Sequence, residues 1–422
     1  MLTADADGSN INRLASSQMP NRFEGSPAWS PDGNKIVCPA VNIDGGFHFT
    51  FAVIDAATGA FELVPGQRWT SVNSVGWLPD SRRIVLSGQD ETSVTPQIWQ
   101  VDAPTGTISR VTDDSFVYES INGTTDGRSF VAVKVRQSSH VWILGDPPTQ
   151  LTSGFDNYDG VGGLVWAADK SIFYHSRANR RDAIWRMRQD GSEARELTPD
   201  TVGGFDVSPD GRLLVFQAKQ SGDQLGLQLM DLVNGSERSL TQSVTALHPS
   251  FSADSKSVAF SLYDKKLSLY EISLSGGQPK VLSDEYRAAT APSVSPSGKF
   301  TAFAFNRTQT GNIQAGIAVI ASGSKQMIAS HLAKITIGSN YEEPTIQWSA
   351  DETELYFIQL DVPASVSNIM KIKISDGTIS NVTNFSDGRI FNFAVEPGGT
   401  RIVVARGIIE RDASLITIDR AL

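Results

Sequence analysis

Apolar and polar positions along this chain alternate in short bursts, and the bursts repeat. An aromatic or branched residue, a Ser/Pro/Asp/Gly turn and an alternating apolar run form PAWSPDGNKIV at 27–37, then again VGWLPDSRRIV at 75–85. Seven more copies follow: NGTTDGRSFV (122–131), VWAADKSIFY (165–174), DVSPDGRLLVF (206–216), SFSADSKSVAF (250–260), SVSPSGKFTAF (293–303), QWSADETELYF (347–357) and AVEPGGTRIVV (394–404). Period-two alternation on both sides of a tight polar turn predicts two antiparallel strands, A and B, joined by a hairpin. The turn residues suit that role, since Asp bonds its own following backbone and Gly takes positive φ.

A third apolar stretch follows each hairpin, as in QIWQVDAPTG (97–106), AIWRMRQDGS (183–192) and LSLYEISLSGG (267–277), and predicts strand C. A short polar segment then closes the unit, as in the LT or VT pairs beginning at Val111, Leu151, Leu197, Leu240 and Val382, and predicts an outer edge strand D. The turn position falls at Asp32, Asp80, Asp126, Asp169, Asp210, Asp254, Ser297, Asp351 and Gly398, with spacings of 41 to 54 residues. That period is the one of β-propeller blades, so the chain is expected to be all-β, built from about nine four-stranded blades. Nine exceeds the usual four to eight, which predicts either one large ring or two arcs.

Composition narrows the function classes. The net charge of −10 matches phosphate backbones poorly, which removes nucleic acid as a partner. Cys38 is the only cysteine, so neither an intrachain disulfide nor a thiolate metal cluster is available. No run of 18 apolar residues predicts a membrane span, and the first residues, MLTADADGSN, lack the basic start and apolar run of a secretory signal.

Motifs that carry chemistry are missing. There is no Gly-x-Ser-x-Gly elbow, Walker A loop, His-Glu-x-x-His site or dinucleotide fingerprint. DADGSN at 5–10 looks like a calcium loop without its later bidentate Glu, and it occupies a C-to-D hairpin position, so no metal is assigned to it. Trp29, Trp77, Trp166 and Trp348 recur on strand A, and Trp99, Trp142 and Trp185 on strand C, as expected of packing between blades.

The SPDG hairpin, the IWRMRQDGS strand and the LT edge resemble the TolB-like propeller repeat, which also builds the propellers of prolyl-oligopeptidase-type enzymes. FEGSPAWSPDG (23–33), GQRWTSVNSVGWLPD (66–80), LTSGFDNYDGVGGLVW (151–166), HSRANRRDAIWRMRQDGSEARELT (175–198) and FAVEPGGTRIVVARGIIERDASLITI (393–418) are similar to the C-terminal sensor region of acidobacterial-type receptor serine/threonine kinases. The resemblance covers essentially the whole chain and implies a propeller with a sensing role, extracytoplasmic in a receptor. The kinase's Gly-rich loop and His-Arg-Asp loop do not occur in this sequence. Residues 1–14 read as a partial blade, strands C and D alone, ahead of a repeat array at 15–422, and the last copy ends after strand C. The chain is thus expected to be a fragment or remnant of a longer array, with residues 11–14 pairing against the last blade.

Two function classes remain. One is a non-catalytic binding module without a cofactor, presenting loops to a protein, peptide or glycan. The other is a metal-assisted lyase or hydrolase at the channel mouth, which needs several His or carboxylate side chains to converge. The A-to-B and C-to-D turns are short, whereas the B-to-C and D-to-A connections on the opposite face are longer, and longer loops on a rigid scaffold tend to hold binding residues. All five histidines and a basic group fall on that face, so His48, His140, Arg177, Arg180 and Arg181 are the candidate contacts for an acidic or polar partner.

Overall fold

The computed structural model describes residues 1–417 apart from 19, 43–47, 67, 91, 94, 115, 125–128, 155–157, 179–180, 200, 220–224, 242–244, 264–265, 310–311 and 336–343. The described residues form β-strands and connections, without an α-helix. They divide into two compact units, residues 138–409 and residues 1–137 with 410–422.

The larger unit is a six-bladed β-propeller. Blade 1 consists of Leu164–Trp166, Ser171–Ser176, Ala183–Arg188 and Arg195–Pro199, paired in that order. Blades 2 to 5 repeat the order, with innermost strands Thr201–Val207, Thr245–Phe251, Ala288–Val294 and Ile346–Trp348. Blade 6 begins with Arg389–Val395, which adjoins the innermost strands of both blade 5 and blade 1, so the ring is closed. One apolar cluster fills each gap between neighbours. Phe173, Ile184, Phe205 and Phe216 fill the space between blades 1 and 2, and Phe303, Phe305, Leu269 and Tyr286 that between blades 3 and 4. Each fully buried side chain of this kind contributes about 1.5–3 kcal/mol, so the sheets are held face to face by their alternating apolar positions.

Turn chemistry fixes the hairpins as their composition predicts. In blade 2, Ser208 Oγ donates to Asp210 Oδ1 at 2.6 Å, and that oxygen also accepts from the Arg212 N–H. The Ser252/Asp254 and Ser349/Asp351 turns repeat the hydroxyl-to-carboxylate bond. Neighbouring blades are also stitched by polar contacts: the Phe251 N–H donates to Asp206 Oδ2 at 2.8 Å, and Trp348 Nε1 to the Ser293 carbonyl at 2.8 Å.

Closure differs from the expectation. Asn12–Arg13 pairs with Leu2–Thr3, not with the last blade. The last hairpin is completed by residues 138–143, the end of the strand Ser129–Ile143, with Thr149–Gln150 at the edge. The Leu144 N–H donates to the Ile402 carbonyl at 2.8 Å, and Val141 joins Val403 and Ala405 in the cluster facing blade 1. The physical reason is an exchange of strands: C and D of the third repeat copy pair with A and B of the ninth.

The smaller unit holds the other three copies. Its first sheet, of Asn21–Phe23, Ala28–Trp29, Lys35–Asn42, His48–Asp55 and Phe61–Leu63, and its second, of Trp69–Trp77, Arg83–Asp90, Gln97–Asp102 and Ile108–Arg110, are joined by the Phe49–Trp69 pairing into one nine-stranded sheet. Its third sheet has Val117–Gly123 and residues 129–137, and takes as third strand residues 410–417, the end of Ile402–Thr417. Ion pairs Arg411–Glu119 at 2.9 Å and Arg136–Glu410 at 3.7 Å tie that strand in place.

Candidate functional site

Two features of the ring are candidates. The first is the central channel, a cavity of about 420 Å³ lined by the innermost strands of all six blades. Its lining combines Gly, Ala, Ser and Pro with the aromatic residues Trp166, Phe205, Phe251 and Trp348, and Asp206, His248, Gln347, Asn392 and Glu396 are among its polar side chains. Burial pushes the Asp206 carboxyl up to about 7, although the Phe251 and Val207 N–H groups that it accepts from work the other way.

The second is a polar network where the B-to-C loop of blade 1 meets the connection leaving blade 6. His175, at the end of Ser171–Ser176, is buried, and its Nε2 lies 3.0 Å from Asp182 Oδ1. Arg177 Nε donates to the same oxygen at 2.8 Å, and its guanidinium sits 4.1 Å above the Tyr158 ring. Tyr158 also meets His175 edge to face. Below them Ser176 Oγ donates to Asp159 Oδ1 at 2.6 Å, and Ser139 Oγ to the Asp159 carbonyl at 2.9 Å. Burial alone would raise the Asp182 carboxyl, but the His175 hydrogen bond and the Arg177 charge outweigh it and hold it at about 2. Arg177 is thereby oriented by a carboxylate and an aromatic face, with its side chain still 30% exposed. Such a guanidinium can offer its remaining N–H donors to an incoming carboxylate or polar group.

Of the residues singled out from sequence, Arg177 lies in this network. Arg181 is exposed on the same loop, with its N–H bonded to the Ala178 carbonyl, and Arg180 lies outside the described residues. His140 is half-buried beside Ser139, and its Nδ1 is buried without a partner among the described residues. His48 belongs to the smaller unit, where it is buried at the start of His48–Asp55, so the structure does not bring it into the ring's network. Tyr158, Asp159 and Asp182 were not selected from sequence. Asp182 closes the loop chosen for its length, but Tyr158 and Asp159 come from the preceding connection, and only the ring brings them to Arg177. Among the described residues, no group of three or more His, Cys, Asp or Glu side chains is arranged to hold a metal ion.

No protein-family model matches the chain, and no curated protein matches it in sequence. Solved structures that resemble it are β-propeller proteins. TolB from Acinetobacter baumannii is 15% identical, with 93% of this chain and 87% of that one covered and a TM-score of 0.45. The β-propeller domain of the Trilobed protease from Pyrococcus furiosus, described as having an open velcro topology, is 12% identical over 72% of this chain and 97% of that one, with a TM-score of 0.33. An oligogalacturonate lyase in complex with manganese is 11% identical over 96% of both chains, with a TM-score of 0.32. No described helix is long and apolar enough to cross a membrane.

Proposed function

We propose that this protein is a binding module, the ligand-sensing propeller of a larger signalling protein, and that its ring binds acidic segments of a protein or peptide through the loop at 175–182. The observation that carries the reading is Arg177, partly exposed and held between Asp182 and the Tyr158 face. An arginine already fixed in place loses less rotamer freedom on binding than a free one, which favours capture of a carboxylate. Arg181 adds a second positive charge on the same loop, and Arg180 and His140 are proposed to contribute to the same face. His48 is proposed as a separate contact on the smaller unit.

The resemblance of the repeats to receptor-kinase sensor regions supports the signalling context. The test is titration of acidic and neutral peptide pools onto the immobilised protein, comparing the native chain with Arg181→Glu and with Arg177→Gln. The expected result is binding of acidic peptides that weakens about tenfold or more in each variant, with the melting temperature of Arg181→Glu unchanged. Equal binding by the native chain and both variants would remove this loop from the site.

A further inference from the structure

Each blade of the ring gives the central channel one residue from the same point of its first hairpin, four positions before the turn. In blade order these are Val165, Asp206, Ser250, Ser293, Gln347 and Ala394, and all six line the cavity. Blades 2 to 5 therefore contribute polar side chains, whereas blades 6 and 1 contribute apolar ones. In a closed ring of six, blade 2 stands opposite blade 5, which sets Asp206 across the channel from Gln347. A carboxylate and an amide thus face each other, with a serine arc along one side and a Val/Ala arc along the other.

Packing does not use up these two facing groups. Asp206 accepts the Val207 and Phe251 N–H groups at 2.8 Å each, which fixes its carboxyl in place, but among the described residues no cation pairs with it. An ionised carboxylate has about four acceptor sites, so capacity remains on the channel side. Gln347 is half-buried, and its amide makes no hydrogen bond among the described residues. The other titratable side chains of the lining are His248, whose Nδ1 meets Thr290 Oγ1 at 2.9 Å, and Glu396, which is paired with Arg401. Neither forms an ion pair with Asp206 among the described residues.

We propose that the channel binds a small primary amine that also carries a neutral hydrogen-bonding group, with its ammonium on Asp206, its second polar group on Gln347 and its alkyl chain along Val165 and Ala394. An ammonium supplies the positive charge and the N–H donors that this carboxylate lacks. A cavity of about 420 Å³ has the size of a small-molecule site. An uncompensated carboxylate in such a space is costly, and a bound cation removes that cost. The site takes the opposite charge from the loop at 175–182, so the two are tested by different ligands.

The probes are 4-amino-1-butanol, n-butylamine and 1-butanol, titrated into the native chain, Asp206→Asn and Gln347→Leu and followed by ligand-observed NMR. The amino alcohol should bind the native chain most tightly and weaken about tenfold or more in Asp206→Asn. In Gln347→Leu it should lose its advantage over n-butylamine. Melting curves of each variant separate loss of binding from loss of fold, and Asn392 shows that an amide can accept from its own following N–H. Both amines stay charged between about pH 5.5 and 8, whereas Asp206 ionises near 7, so affinity should rise about tenfold or more across that interval. That rise should survive His248→Gln; its loss there would overturn the proposal by assigning the charge to His248. Binding of 1-butanol as tight as that of the amino alcohol would also overturn it, as would equal amine binding by Asp206→Asn or none by the native chain at about 10 mM amine.

Discussion

Asp206 and Asp182 are carboxylates of one ring driven in opposite directions, and each makes a separate prediction. Asp206 has its carboxyl raised to about 7 from 3.8, so between those values the folded chain holds a proton that the unfolded chain releases. Stability from this residue is therefore full below about pH 4, falls as pH rises towards 7 and stays low above it. Asn392 makes the same bond to its following N–H at 2.8 Å with a neutral amide. Asp206→Asn should accordingly melt higher than the native chain at pH 8 and show a flatter dependence between pH 4 and 7 in denaturant titrations. A native profile unchanged by the substitution would show that Asp206 is not the group titrating. Asp182, held at about 2, contributes above pH 4 and loses that contribution as pH falls towards 2. Asp182→Asn should cost about 2 kcal/mol at neutral pH and little at pH 2. At this scale the turn residues were legible from sequence, since an Asp that bonds two residues onward is a local device. The channel carboxylate and the Tyr158–Arg177 contact were not, because both need residues from neighbouring blades.

Strands were legible by type and not by partner. Every C segment has the same apolar alternation, so nothing local in QSSHVWI at 137–143 marks it for the ninth hairpin rather than the third. Length is the one feature that could have signalled the exchange: Ser129–Ile143 and Ile402–Thr417 run for 15 and 16 residues where neighbouring strands have ten or fewer. The exchange also leaves a point of close backbone approach within the ring unit. A Cβ on Gly407 would lie 1.8 Å from the Ser138 carbonyl, a backbone atom that cannot swing aside. Gly407→Ala should thus force the closing strands apart and cost about 3 kcal/mol. Hydrogen exchange would show it as faster labelling of residues 138–150 and 402–409, with blade 3 at its native rate. Equal protection across the ring would mean that the strands shift without losing their pairing.

For the whole molecule, repeats are legible one by one and their grouping is not. Turn positions are readable in the sequence because each hairpin carries its own turn chemistry, with Asp126 lying outside the described residues, yet whether the hairpins form one ring or several groups depends on which flanks meet. The six copies from 169 onward close on themselves only because residues 138–150 supply two strands from ahead of the ring. Without those strands, Ile402 and its neighbours face solvent along an unpaired edge and Val141 leaves the cluster joining blades 6 and 1. A chain of residues 138–409 holds every strand of the closed ring and should unfold in one cooperative transition with an all-β circular dichroism spectrum. A chain of residues 151–409 differs only by thirteen residues at one end, at 138–150, a change that peripheral residues would tolerate. If closure holds the ring, that shorter chain should melt about 10 °C lower or aggregate, since its two terminal blades no longer restrain each other. Matching transitions for the two chains would mean that contacts between neighbouring blades suffice and that the exchanged strands add little.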